Sequence, residues 1–111
     1  MTSVGRKPRT PDQIWKPIAD AELALIGVKG GTGFGRSEGL RISNKIYAML
    51  VHGELVVRVP KARVDELVDA GIGRRFEPSP GRVMKEWLSL PPTESRRWKT
   101  LVSEARAFVH S

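Results

Sequence analysis

The chain has 111 residues, of which 40% are hydrophobic and 28% charged, with a formal net charge of +7 and no cysteine. This length suits one domain with one modest core, because a chain of this size buries only about two-thirds of its unfolded surface. Without cysteine there are no disulfides, thiolate metal sites or cysteine nucleophiles, and His52 and His110 lack ligand-like spacing. We therefore expect no metal ion and no cofactor.

No segment approaches the roughly 20 apolar residues of a membrane span, and the first residues contain no apolar stretch typical of a signal peptide. We therefore expect a cytoplasmic protein without membrane contact. Residues 1–10 lack apolar periodicity and are rich in basic residues and proline, which predicts a flexible basic arm before a single domain over residues 11–111. The excess positive charge is compatible with a polyanionic partner such as nucleic acid, but acidic residues are interspersed in the folded part, so ordinary solubility is the favoured explanation.

The first helix is predicted to begin after Thr10, an N-cap residue followed by Pro11 at the first helical position and Gln13 three residues after the cap. Pro17 removes one internal hydrogen bond, so a kink or a split is expected there. The apolar side of this helix is predicted to comprise Ile14, Trp15, Ile18, Leu25 and Ile26.

The glycine-rich segment 27–39 gives no periodic core face and indicates a loop or an irregular first strand. Three short apolar segments follow, at residues 40–42, 46–51 and 55–59, separated by polar turns. Such spacing is typical of a three-stranded antiparallel meander.

Pro60 is predicted to open a second helix, with Val64, Leu67 and Val68 as its apolar stripe and Gly71 as its stop signal. Strands are then predicted over residues 74–77 and 84–90, before a final helix capped by Thr93. The apolar face of that helix contains Trp98, Leu101, Val102, Ala105, Phe108 and Val109. The order α-β-β-β-α-β-β-α predicts an α+β fold: a largely antiparallel sheet with helices on one face.

The glycine loop has the spacing of a phosphate-binding P-loop, except that Arg36 stands where lysine belongs. A P-loop requires a following helix, and a strand is predicted here instead, so nucleotide hydrolysis is not expected. Two interpretations remain: a structural loop in which Phe34 fills the core, or a phosphate-contacting loop that uses Lys29 and Arg36.

Two basic surfaces could contact nucleic acid. Arg96, Lys99 and Arg106 follow each other at helical spacing and either track phosphates or form an ordinary solvated face. Arg58, Arg82 and Lys85 are predicted to lie together on the exposed face of the sheet, with Trp87 beside Lys85. This arrangement suggests a platform for single strands, although an indole that covers the sheet face or makes a dimer contact explains the tryptophan equally well.

Glu86 alternates with Met84 and Leu88 in the predicted strand, so it would be a buried carboxylate if that face were the core. We expect a lysine, an arginine or the Tyr47 hydroxyl as its partner, in a structural rather than catalytic pair.

An ordered series of short motifs resembles the N-terminal domain of the TfoX/Sxy family over roughly residues 27–110. The most specific motif is Gly-Arg-x-Met-Lys-Glu-Trp at residues 81–87, and weaker ones include Gly33-Phe34-Gly35 and residues 45–50, 55–60, 63–68 and 104–109. The resemblance implies a two-layer α-β(3)-α-β(2)-α fold, similar to secretion chaperones, and a link to the regulation of DNA competence. It implies no catalytic residue and no ligand.

These observations predict a small non-enzymatic regulatory binding module that acts on nucleic acid or on a DNA-bound regulator. The alternative is a homodimeric, chaperone-like protein-interaction domain without nucleic-acid binding, and a homodimer is expected in either case. The predicted contact residues are Lys29, Arg36, Arg58, Lys85, Trp87, Arg96, Lys99 and Arg106.

Overall fold

The computed structural model of the chain describes residues 9–31 and 38–110. The predicted arm at residues 1–10, apart from its last two residues, and the predicted Arg36 contact therefore lie outside the described residues. The helices are α1 (Pro11–Leu23), α2 (Lys61–Asp69) and α3 (Trp98–His110), with a 3-10 helix (Pro92–Arg97) directly before α3. The strands are β1 (Val28–Gly30), β2 (Glu38–Ile42), β3 (Lys45–Val51), β4 (Glu54–Arg58), β5 (Arg74–Phe76) and β6 (Met84–Leu90).

The strands form one antiparallel sheet in the order β1-β2-β3-β4-β6-β5. Its meander depends on two tight turns, at Ser43-Asn44 and His52-Gly53, whose four residues all have positive φ, between 50° and 78°. Two consecutive left-handed residues match the right-handed twist of the flanking strands, which is why two-residue hairpin loops favour them. The predicted three-stranded meander is confirmed as β2, β3 and β4. Of the two predictions for the glycine-rich segment, a loop or a first strand, the structure shows a short strand, β1, at its start.

All three helices pack on one face of the sheet. Trp15 of α1, Val64 of α2 and Leu101 of α3 belong to the same buried cluster as Leu40 and Val57 of the sheet. α1 lies over β1 and β2, α3 over β3 and β4, and α2 over β5 and β6. The predicted two-layer α+β fold with helices on one face is confirmed. In the described part of the chain, no helix is long and apolar enough to cross a membrane.

The first helix begins as predicted, but it ends sooner. The Thr10 hydroxyl accepts a hydrogen bond from the Gln13 amide at 3.2 Å, and the Gln13 side chain accepts one from the Thr10 amide at 2.9 Å. This reciprocal capping fixes the start of α1, and Pro17 does not divide the helix. The prediction that Leu25 and Ile26 extend its apolar side is wrong, because both follow the helix and Ile26 is fully exposed.

The start of the final helix also differs from its prediction. Thr93 makes no capping hydrogen bond, since the chain first forms the 3-10 helix after Pro91 and α3 starts only at Trp98. The indole N–H of Trp98 donates to the Pro91 carbonyl at 3.2 Å, which ties the 3-10 helix to the core. The apolar face of α3 is confirmed, and five of its six predicted members are buried: Trp98, Leu101, Val102, Ala105 and Val109.

Candidate functional site

The sheet face that points away from the helices, here called the open face, has no helix of the described residues over it. The register defines its residues, because partners in an antiparallel pair share a face. Val57 and Leu88 pair with each other and are fully buried beneath the helices. Their neighbours Arg58 and Trp87 also pair, and they therefore lie on the open face.

A groove of about 670 Å³ lies on the open face. Its apolar lining includes Met49, Phe76, Met84 and Trp87, and Pro78 belongs to the connection between β5 and β6. Because Met49 is only 8% exposed with no helix above it, the side chains of the open face and this connection must bury it. The groove is a concavity formed by the sheet and this connection.

Three cationic side chains also line this groove: Lys45, Arg58 and Arg82. One Nη of Arg58 lies 3.4 Å from a carboxylate oxygen of Glu86, which is at the long end of an ion pair, and both side chains are more than one-third exposed. Among the described residues, neither Lys45 nor Arg82 forms an ion pair. The groove thus combines an apolar lining with uncompensated positive charge.

Trp87 differs from the other two tryptophans. Trp15 and Trp98 are 1% and 0% exposed, and their indole N–H groups donate to Glu38 and to the Pro91 carbonyl, both at 3.2 Å. Trp87 is only half-buried, and its indole N–H has no hydrogen bond among the described residues. A large aromatic ring with an unused donor is therefore available to a ligand on the open face.

Positive charge is concentrated in the sheet. The six strands contain seven basic and three acidic residues, whereas the three α-helices and the 3-10 helix contain seven basic and eight acidic residues. One strand arginine, Arg75, turns towards the helices and pairs with Asp65 of α2 at 2.5 Å. Lys29 and Arg41 are register partners that extend the basic character of the open face to its far end, across β1 and β2.

The structure brings four of the predicted contact residues to the sheet. Arg58 and Trp87 are direct register partners, Lys85 lines a shallow cavity beside them, and Lys29 lies at the far end of the open face. Arg96 and Lys99 are exposed on the helical layer instead, so the eight predicted residues do not form one surface.

Arg106, the last predicted contact, belongs to a buried polar cluster beneath the helices. Its Nη1 lies 2.6 and 2.5 Å from the two carboxylate oxygens of Glu22, and the Tyr47 hydroxyl donates to one of them at 2.7 Å. Burial raises the pKa of Tyr47, and its hydrogen bond to Glu22 raises it further. A bulge makes this possible: Leu40 pairs with Ala48 but Arg41 with Ile46, so Tyr47 is an extra residue that turns towards the helices.

Sequence reasoning missed this cluster and misjudged Glu86. Helical spacing from Trp15 through Ala19 to Glu22 was the available signal that Glu22 faces the core. The Glu86 side chain is 43% exposed, so the expectation of a buried carboxylate is wrong, although its partner is an arginine, Arg58, as one of the alternatives predicted. Tyr47, the other predicted partner of Glu86, donates its hydroxyl hydrogen bond to Glu22 instead.

The described residues contain no group of three histidine, aspartate or glutamate side chains that could hold a metal ion. Comparisons of the chain with protein-family models, curated proteins and solved structures found no match. The resemblance to the TfoX/Sxy N-terminal domain therefore remains a prediction.

Proposed function

We propose that the chain is a non-enzymatic nucleic-acid-binding module whose contact surface is the open face of the sheet. The observation that carries this proposal is the combination of excess positive charge and a partly exposed tryptophan on the one sheet face that no helix covers. The resemblance to the TfoX/Sxy N-terminal domain adds a regulatory role to the proposal.

The chemistry of single-stranded nucleic acid matches this surface. Unpaired bases stack on aromatic side chains of an exposed sheet, and neighbouring lysine and arginine side chains neutralise the phosphates. The Trp87 ring and the Arg58 guanidinium are adjacent across two strands, which is the spacing at which one nucleotide can meet both. Lys29 and Arg41 extend the basic surface across β1 and β2.

The alternative is a homodimer that buries the same face. The apolar lining of the groove favours this alternative. In a two-fold symmetric dimer the same surface lies on both subunits, so Lys45, Arg58 and Arg82 of each subunit would face a surface that carries the same three cations. Like charges brought together in an interface are strongly unfavourable. This repulsion makes a polyanion the better occupant of the open face.

The test compares two double variants that change the net charge by the same amount. Lys45→Glu with Arg82→Glu alters the open face, whereas Arg96→Glu with Lys99→Glu alters the helical layer. None of these four side chains forms an ion pair among the described residues, so neither variant breaks one. Fluorescence anisotropy with a labelled single strand of about 12 nucleotides, over a salt series, measures affinity.

We expect the open-face variant to lose at least ten-fold in affinity and the helical variant less than two-fold. Each lost phosphate contact should also flatten the salt dependence by about 0.7 in logarithmic slope. Equal losses in both variants would refute the open face as the contact surface. Absent binding at low salt, with a dimer mass in light scattering, would favour the protein-interaction domain instead.

A further inference from the structure

We infer that the groove on the open face is a nucleotide subsite, which stacks one unpaired base on Trp87 and holds its phosphate with the cations around it. This inference rests on the proposed function, because it specifies what that surface recognises. The same chemistry is offered by one residue of a single-stranded nucleic acid and by a free mononucleotide.

The size of the groove fits such a ligand. Its volume of about 670 Å³ exceeds those of the four other main cavities of the described residues, which lie between 390 and 480 Å³. Pockets for small organic ligands measure about 300–1,000 Å³ and combine apolar walls with a few polar groups. Met49 and Met84 in the lining are flexible and polarizable, so they can adapt to an inserted ring.

The aromatic side chains favour a planar group over an alkyl chain. Trp87 and Phe76 both line the groove, and aromatic rings pair best with other flat π systems in offset or edge-to-face arrangements. The indole N–H of Trp87, which has no hydrogen bond among the described residues, adds one donor for a base or sugar oxygen. A base within a duplex is already stacked and paired, so only an unpaired base can enter without a large cost.

The cations favour an anionic group at the edge of that planar ring. Arg58 is the register partner of Trp87, and its long 3.4 Å contact with Glu86 can be exchanged for a phosphate oxygen. Lys45 and Arg82 stand in the same lining without an ion pair among the described residues. A planar apolar group joined to a phosphate is the ligand chemistry that satisfies both sets of side chains.

Tryptophan emission measures this binding in the chains that keep Trp87, and the anisotropy of a labelled strand measures it in the Trp87 variants, which lack that reporter. Trp15 and Trp98 are buried in the core, so ligand-induced quenching reports on Trp87. The titrations use a single-stranded oligonucleotide, its duplex, an abasic strand with the same number of phosphates, and adenosine monophosphate. Trp87→Leu removes the stacking surface and Trp87→Phe retains part of it, with circular dichroism as the check on folding.

We expect the single strand to quench Trp87 emission and to bind at least ten-fold more tightly than the duplex or the abasic strand. Trp87→Leu should lower the affinity for the single strand about ten-fold and leave the affinity for the abasic strand unchanged. Trp87→Phe should lower the affinity for the single strand by less. Quenching by adenosine monophosphate that Arg58→Gln weakens would support the subsite with a free nucleotide as its source, even if oligonucleotides fail to bind.

Two results would overturn the inference in distinguishable ways. If the abasic and normal strands bind equally and Trp87→Leu changes neither, while Lys45→Glu with Arg82→Glu still abolishes binding, the subsite is refuted and the proposed function stands. If neither oligonucleotides nor adenosine monophosphate bind or quench at low salt, both are refuted.

Discussion

Replacing Arg106 by methionine should destabilise the protein strongly, although sequence reasoning assigned this residue to a binding surface. The substitution leaves the Glu22 carboxylate, whose side chain is only 11% exposed, with the Tyr47 hydroxyl as its remaining partner. Removing one member of a buried ion pair costs about 3–5 kcal/mol, because the other charge stays desolvated. The Arg106 side chain is itself 28% exposed, so we expect about 2–3 kcal/mol.

Urea unfolding followed by tryptophan emission measures this free energy, since Trp15 and Trp98 are buried in the core and report on its loss. Methionine keeps most of the aliphatic stem of arginine, so the measured loss reflects charge rather than packing. Lys99→Met on the exposed side of the same helix is the matched control and should stay within about 0.5 kcal/mol of the parent chain.

A double-mutant cycle identifies the cause. Glu22→Gln combined with Arg106→Met removes both charges. The double variant should therefore lose less free energy of unfolding than the sum of the two single losses, by at least about 1 kcal/mol. Strictly additive losses, or Arg106→Met within about 0.5 kcal/mol of the parent chain, would refute a desolvated Glu22–Arg106 pair. Because Arg106 is held by Glu22, Arg106→Met should leave the affinity for single strands unchanged at temperatures where the variant is folded.

Two further predictions concern α2 and the chain that follows it. Hydrogen bonds from Lys61 and Arg75 lower the pKa of the Asp65 carboxyl, so Asp65→Asn should destabilise the protein at pH 7. That loss should shrink as the pH falls below about 4, where the unfolded chain binds the proton first; urea midpoints at pH 7 and pH 3 test this, and a difference that grows in acid would contradict it. Gly73→Ala should cost about 2–3 kcal/mol in the same assay, because the added Cβ would lie 2.8 Å from the Ser89 carbonyl oxygen. An unchanged midpoint would contradict that steric argument.

The elements with strong local signals were predictable from the sequence. Thr10, Pro11 and Gln13 specify the start of α1 through contacts three residues apart, and Gly71 specifies the end of α2 because the chain there adopts a positive φ of 75°. The paired turn residues of the meander act at the same short range. Each signal depends on a few neighbouring residues, so no knowledge of the fold is needed to interpret it.

The site was predictable only in part. Alternation in the strands was enough to associate Trp87 with basic side chains, because neighbours on one face of a strand are two residues apart. The groove combines residues of separate elements, which no spacing links to each other: Lys45 and Met49 lie in β3, Phe76 in β5 and Arg82 in the connection before β6. Only the strand order brings β3, β4, β6 and β5 side by side.

The sequence by itself determined the α+β class, the antiparallel meander and the apolar face of the final helix, since these follow from local periodicity and turn chemistry. Tertiary structure decided which charges are free and which are occupied. Arg106 and Arg96 are equivalent in a helical pattern, yet Arg106 is bound to Glu22 across 84 positions of sequence whereas Arg96 is exposed. The reason is physical: a buried carboxylate must find a partner wherever the fold supplies one, and that choice depends on packing rather than on spacing along the chain.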